Sequence, residues 1–338
     1  MGCQMKDSLV SVISCFYNRS EYVCRSVESL LSQTYKNIEI LLVDDGSTDD
    51  TLDQLSSYKD SRIKLISHPN KGFVHALKDA ISVSKGEIVA IHGSGDISLP
   101  ERIEKQVNLL DKNSDVGVVG CYIKDFSLSK EQWTIVRKSI GENQLSQLIQ
   151  HNIFSHGEVM FRRDCYEQVG GYRDFFEFAQ DRDLWLRLAT VTRFAIVQEV
   201  LYQREPINGS VTKVPSKAKM QACLSEFAIA CAISRRDKGF DPLERHGNEA
   251  FERLAYASPK LSIRLRRLAS RYVVDQQFDA ARDLMSEAVD INPSRLNNLI
   301  LVSIALAQKI PIFRLPLRLI FQWRLRLLSL TRLCSPNL

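Results

Sequence analysis

No CxxC pair occurs among the eight cysteines, Cys3, Cys15, Cys24, Cys121, Cys165, Cys223, Cys231 and Cys334. That scatter has neither the spacing of a structural zinc site nor that of a small disulfide framework, and it fits a reducing cytosol. A secretory leader is also missing: Met1 to Ser8 carries Lys6 and Asp7, and the apolar run Val10 to Cys15 is too short to serve as one. The protein is therefore expected to stay in the cytoplasm. With 44% hydrophobic and 25% charged residues, the 338-residue chain has the balance of an ordinary globular protein, not of a disordered or membrane-spanning one. It is long enough for one large domain or two smaller ones.

Negative charge is missing from residues 310–338, which hold Arg314, Arg318, Arg324, Arg326 and Arg332 and no acid. The formal net charge is +5, so the rest of the chain balances at zero and the basicity is local. This argues against a nucleic-acid-binding face and toward a partner of the tail alone.

What is present is a series of short apolar runs separated by polar loops. Leu9–Cys15 is rich in β-branched residues and precedes Tyr17-Asn18-Arg19-Ser20, which reads as a buried strand ending in a loop. Val23, Val27, Leu30 and Leu31 recur at helical spacing, and Ile38–Val43 is a second strand. The turn Asp44-Asp45-Gly46-Ser47-Thr48-Asp49-Asp50 can cap a helix through Leu52 and Leu55. A strand at Arg62–Ser67, a helix from Phe73 to Val83 and a strand at Glu87–Ile91 follow, the last running into His92-Gly93-Ser94-Gly95-Asp96. Strands alternating with helices predict an α/β fold, a mainly parallel sheet flanked by helices. Ligands of such sheets sit beyond the carboxyl ends of the strands, so the loops Cys15–Asn18, Asp44–Thr48 and His92–Asp96 should converge on one cleft. The first of these lacks GxGxxG, which disfavours a dinucleotide oxidoreductase, and it is not the glycine-rich basic loop that a nucleotidyltransferase would want.

The segments VSVISCFYN (Val10–Asn18), SVESLLSQTYKNIEILLVDDGSTDDT (Ser26–Thr51), NKG (Asn70–Gly72), GEIVAI (Gly86–Ile91), DISLPERIEKQV (Asp96–Val107), HGEVMFRRDCYEQVGGYRD (His156–Asp174) and QDRDLWLRL (Gln180–Leu188) resemble family 2 glycosyltransferases. The similarity runs from about Leu9 to Val211. It implies a GT-A fold and inverting transfer of a sugar from a nucleotide donor, commonly UDP-linked, to an acceptor hydroxyl. It further implies a donor site at Cys15, Tyr17, Asn18, Asp45 and Asp96, with Asp45 on the uracil or ribose. Asp181 takes the position of the catalytic base, and His156 and Gln180 line the acceptor or diphosphate side. A purely structural reading remains for each acid: Asp44 and Asp45 build the turn, while Asp181 and Asp183 charge the start of the Leu184–Leu188 helix.

Several positions depart from the family pattern. The Asp-x-Asp motif that holds Mg²⁺ or Mn²⁺ against the diphosphate aligns with Gly93 and Gly95, which offer no carboxylate oxygen. A metal would then rest on Asp96 at most, with His156 beside it. Alternatively, the amides of Gly93-Ser94-Gly95 cradle phosphate, with Lys71, Lys78 or Arg204 as cations. A third reading is a non-catalytic relative that binds a nucleotide sugar or glycan. Gln180 replaces a glutamate and Leu77 an arginine.

After Val211 the similarity fades. Leu261–Leu268, Tyr272–Val289 and Leu296–Ala307 have helical periodicity, broken at Gln276-Gln277 and Asn292-Pro293. The division expected is a GT-A domain at 1–212, a helical appendage at 213–309 and a basic amphipathic tail at 310–338. On a wheel of the tail Leu319, Ile320, Trp323, Leu327 and Leu330 cluster, opposite Arg314, Arg318 and Arg332, as in a helix lying on an anionic membrane. The expected role is sugar addition to a surface glycan or lipid-linked acceptor, in the cytoplasm or peripherally on the inner membrane face.

Overall fold

The structure, a computed structural model, describes residues 8–127, 132–204 and 214–333, with side chains up to Trp323. Two compact units result, Met1–Ile207 and Asn208–Leu338. The boundary expected after residue 212 falls within 205–213, outside the described residues, whereas of the polar segment Lys213–Lys217, which the sequence suggests as a linker, Pro215–Lys217 already form the first turn of a helix that Pro215 opens.

The first unit is built on a nine-stranded sheet. Its strands are β1 (Val10–Phe16), β2 (Ile38–Asp44), β3 (Ile63–Ser67), β4 (Ile88–Ile91), β5 (Ile97–Ser98), β6 (Val116–Ser127), β7 (Gln132–Val136), β8 (Met160–Arg162) and β9 (Arg193–Arg204). They lie in the order β3-β2-β1-β4-β8-β6-β9-β5, with β7 paired to β6. β3, β2, β1 and β4 are parallel, as the alternation of strand and helix predicts. β8 then runs antiparallel to both β4 and β6, while β6 and β9 are parallel, so the second half of the sheet is mixed.

β1 is buried at every position and β2 at all but one, which is why both read as continuous apolar runs without alternation. Among the described residues of this unit the α-helices are α1 (Ser20–Leu31), α2 (Thr51–Ser57), α3 (Phe73–Val83), α4 (Arg102–Lys112), α5 (Gln144–Gln150), α6 (Arg163–Gln168) and α7 (Gln180–Leu188). Val23, Val27 and Leu30 of α1 and Ile103, Val107 and Leu110 of α4 share one core with Val12, Ile40 and Ala90. On α3, Leu77 is buried with Val74 and Ile81, so the residue at the family's arginine position serves packing. α2 has no side-chain bond from its cap residue Asp50; its first turn is held instead by Asp49, whose carboxylate accepts from Thr51 N at 3.0 Å.

Asp183 is fully structural. Its carboxylate accepts from Arg187 Nε and Nη2 at 3.0 and 2.7 Å and from Arg173 Nε at 3.1 Å. Arg187 also donates to the carbonyls of Val169 and Gly171 at 2.5 and 2.6 Å, fixing the turn that leads into Tyr172. Removing one member would leave buried charge unpaired, a loss of about 3 kcal/mol or more.

The second unit is helical: α8 (Pro215–Lys238), α9 (Pro242–His246), α10 (Glu249–Ala255), α11 (Pro259–Val274), α12 (Phe278–Ile291), α13 (Arg295–Lys309) and α14 (Arg314–Leu333). The break at Gln276-Gln277 is a tight turn with Gln276 at φ 61°. Leu265, Tyr272, Ala281, Met285 and Ile304 form the core, and α14 enters it through Phe321, only 3% exposed, with Leu317 packed beside it. The tail beyond residue 309 thus shares a core with the helices before it. Pro311 opens a 3₁₀ turn (Pro311–Phe313), and Pro316 lies in the first turn of α14, where a missing N–H costs nothing. Among the described residues no helix is long and apolar enough to cross a membrane.

Candidate active site

β1 and β2 end together, with Cys15 opposite Val43 and Phe16 opposite Asp44, so the loops that follow them start side by side. Asn18, in the left-handed region at φ 50°, stitches them: its N–H donates to Ser47 Oγ at 3.0 Å and its Oδ1 accepts from Thr48 N at 2.8 Å. Tyr17 stands at the mouth, 47% exposed. Asp44 takes the turn-building role, accepting from Ser47 N at 3.3 Å. Asp45 is buried, and its two oxygens accept from Lys71 N at 2.9 Å and Gly72 N at 3.1 Å. It therefore locks the loop after β3 onto the loop after β2. A carboxylate has about four acceptor positions, so capacity for a ligand remains. Burial, followed by the charge of Asp45, pushes the Cys15 thiol far up, leaving it a protonated wall of the site.

The loop after β4 explains the missing acids. Asp96 is 8% exposed, and its Oδ2 accepts from the Tyr202 hydroxyl at 2.7 Å; the same hydroxyl accepts from Gly93 N at 2.9 Å. A Cβ on Gly93 would lie 2.3 Å from Asp96 Oδ2 and 3.3 Å from the Tyr202 hydroxyl. Gly95 has φ 105°, a conformation that side chains rarely adopt. Both glycines are thus demanded by the loop itself. Gly95 N donates to Ser26 Oγ at 3.2 Å, so two of the three amides proposed to cradle phosphate are engaged within the protein, which corrects that expectation.

On the other side of the cleft, His156 opens a 3₁₀ turn (His156–Glu158) held by Ser155 N to Glu158 Oε1 at 2.9 Å and by the buried Lys138–Glu158 pair. Its Nε2 shares a 2.6 Å hydrogen bond with the Tyr172 hydroxyl, and its ring packs edge-on to Phe73 and Tyr172, both at 5.6 Å. Burial lowers its pKa to about 3, so the imidazole is neutral at physiological pH. Asp181 lies in the first turn of α7. Its Oδ2 accepts from Asn152 Nδ2 at 3.0 Å and its Oδ1 from Arg182 N at 2.7 Å. Loss of hydration raises its carboxyl above the ordinary range, outweighing these hydrogen bonds. Gln180 Oε1 is buried with no hydrogen-bond partner among the described residues. A glutamate there would add an unpaired charge beside Asp181.

Tyr172 joins the predicted residues: burial raises its hydroxyl well above the usual range, Asp181 and Cys15 both lie within electrostatic reach of it, and His156 bonds to it. Cys15, Asp45, His156 and Asp181 are thus brought together. Asp96 is turned away toward Tyr202. Tyr172 was visible only as part of Gly170-Gly171-Tyr172-Arg173-Asp174, and Asn152 carried no signal. Tyr202, 106 residues from its partner Asp96, carried none either.

The candidate cations are all paired. Lys71 meets Asp79, Lys78 donates to Asp174 at 2.7 Å, and Arg204 grips Asp125 through Nε and Nη2 at 3.1 and 2.8 Å. The residues present do not fit a divalent metal. Gly93 and Gly95 supply no carboxylate, Asp96 is sealed by Tyr202, and His156 Nε2 is committed to Tyr172. Among the described residues no group of three or more His, Cys, Asp or Glu side chains is arranged to hold an ion.

A parallel half-sheet whose loops converge on a cleft, closed by an antiparallel strand and a carboxylate-bearing helix, defines a GT-A glycosyltransferase fold. The mannosyltransferase PcManGT of Pyrobaculum calidifontis, solved with GDP-Man and Mn²⁺, superposes on it with a TM-score of 0.53 at 20% identity, over 97% of this chain and 88% of that one. The sequence profile described as glycosyl transferase family 2 matches residues 11–170. The putative glycosyltransferase EpsE of Bacillus subtilis is 36% identical over 57% of this chain and 72% of its own length. Over a shorter stretch, 30% of this chain and 41% of the relative, identity reaches 42% with WfaP of Escherichia coli, named as a UDP-Glc:alpha-D-GlcNAc-diphosphoundecaprenol beta-1,3-glucosyltransferase. The chain belongs to glycosyl transferase family 2 and is a glycosyltransferase.

Two outcomes test the loop. Gly93→Asp, which restores the family's acid, is expected to lower stability by about 1–3 kcal/mol in chemical denaturation, because Asp96 must leave Tyr202 to make room. Burial raises the Asp96 carboxyl to about 7, so between pH 4 and 7 the folded protein holds a proton that the unfolded chain releases, and stability from this group falls as pH rises through that window. Asp96→Asn should flatten that slope in unfolding curves recorded across the same window.

Proposed function

We propose that this glycosyltransferase moves a sugar, with inversion, from a UDP-linked donor to a hydroxyl of a glycan or lipid-linked acceptor in polysaccharide assembly at the inner membrane face. The observation that carries the reading is Asp181. It is a partly buried carboxylate on the first turn of α7, steered by Asn152 and raised above the ordinary carboxylate range by loss of hydration. In that state it takes the proton of the acceptor hydroxyl as the oxygen attacks the anomeric carbon and the nucleoside diphosphate leaves from the opposite face. Burial achieves the tuning that the family's glutamate would otherwise supply by charge repulsion.

Asp45 and Asn18 shape the nucleoside end, with Tyr17 at its rim. The diphosphate is met without an Asp-x-Asp metal. Lys71 and Lys78 flank the cleft on and before α3, and their ion pairs with Asp79 and Asp174 are solvent-exposed. Such pairs contribute only about 0–1 kcal/mol, so a diphosphate can replace either carboxylate at little cost. The similarity to a UDP-Glc enzyme acting on a diphosphoundecaprenol-linked sugar supports the donor and acceptor classes.

Asp181→Asn is expected to reduce kcat by about 10²–10⁴ with the donor Kd unchanged. Asp45→Ala is expected to weaken donor binding, since the Lys71–Gly72 loop loses its anchor. In the wild type the acid limb of the rate profile should lie above the ordinary carboxylate range. Full activity in both variants would overturn the site assignment.

A further inference from the structure

The second unit exposes a large apolar surface that sugar transfer does not use. Leu299 and Val302 on α13, Ile312 on the connecting turn, and Leu315, Ile320 and Trp323 on α14 are each between 60% and 77% exposed. Both helices bury their other faces, through Ile300, Ile304 and Ala307 on α13 and Phe321 on α14. Isolated exposed apolar side chains are ordinary, but six within 25 consecutive residues, on two adjoining helices and the turn between them, mark an interaction surface.

Charge decides what covers it. Residues 291–338 contain Arg295, Lys309, Arg314, Arg318, Arg324, Arg326 and Arg332 and not one aspartate or glutamate. A second copy docking by two-fold symmetry would bring this patch onto itself and oppose like charges. An anionic bilayer meets both properties: each basic residue near its surface adds about 1 kcal/mol, and apolar side chains enter the boundary between headgroups and acyl chains. Arg314 Nε and Nη2 donate at 3.1 Å to the carbonyls of Ala307 and Gln308 in the last turn of α13, so the turn carrying Ile312 is braced.

We infer that α13, the Pro311–Phe313 turn and α14 together form a docking face for anionic phospholipid. The membrane contact thereby extends beyond the tail, onto a helix that precedes it. This deepens the membrane-side reading of the function and is tested apart from the reaction.

The full chain is mixed with vesicles of phosphatidylcholine, alone or with phosphatidylglycerol, and sedimented, with Trp323 emission followed in parallel. Sedimentation with the anionic vesicles only, lost at high salt, is expected. The Leu299→Ser/Trp323→Ser variant should weaken it by at least about tenfold while melting and donor binding stay as in the wild type. A single substitution, Val302→Ser, gives the same reading should the double variant be unstable. Failure to sediment, equal binding to both vesicles, or a salt-insensitive dimer that the double variant dissolves would each overturn the lipid assignment. Donor binding in the same samples shows separately whether the transferase reading stands.

Discussion

The Tyr202 hydroxyl organises the site. It donates to Asp96 and accepts from Gly93 N, tying the end of β9 to the loop after β4. An acid at position 93 cannot coexist with that knot, and the φ of Gly95 resists one at position 95. Loss of the two family acids is therefore a single change of loop architecture. Its consequence reaches the chemistry: Asp96, the remaining acid, faces the interior and keeps its proton up to about pH 7.

The opposite wall compensates in a different way. Arg187 and Arg173, gathered by Asp183, hold the turn from Val169 to Tyr172, and Tyr172 in turn bonds to His156, which burial keeps neutral. Beside them Asp181 is perturbed by lost hydration, with Gln180 in place of a second carboxylate. The positively charged groups on α3 are only loosely committed, whereas Arg204 is bound to Asp125 by two hydrogen bonds and is the poorer candidate for phosphate.

Much of the parallel half of the sheet was legible because β1, β2 and β4 are buried on both faces and read as uninterrupted apolar runs ahead of polar loops. β8, only three residues long, had no periodicity to show, and its antiparallel pairing depends on contacts far along the chain. Asp181 and His156 were reachable through family resemblance, since each sits in a contiguous motif. Tyr172 lay within one of those motifs with nothing to mark its role, while Asn152 and the Tyr202 that controls Asp96 act across the fold and leave no local pattern. The tail's amphipathicity was plain, but its docking through Phe321 needed the helical core to be seen.

The measurement that bears most directly on this account is calorimetric titration of the purified protein with UDP-, GDP- and dTDP-sugars, each in Mn²⁺ and in EDTA. The account requires a UDP-sugar to bind with the same Kd in both, within about twofold. Tight binding that appears only with Mn²⁺ would contradict it, because the sealed Asp96 and the glycines at 93 and 95 would then have to be part of a metal site after all.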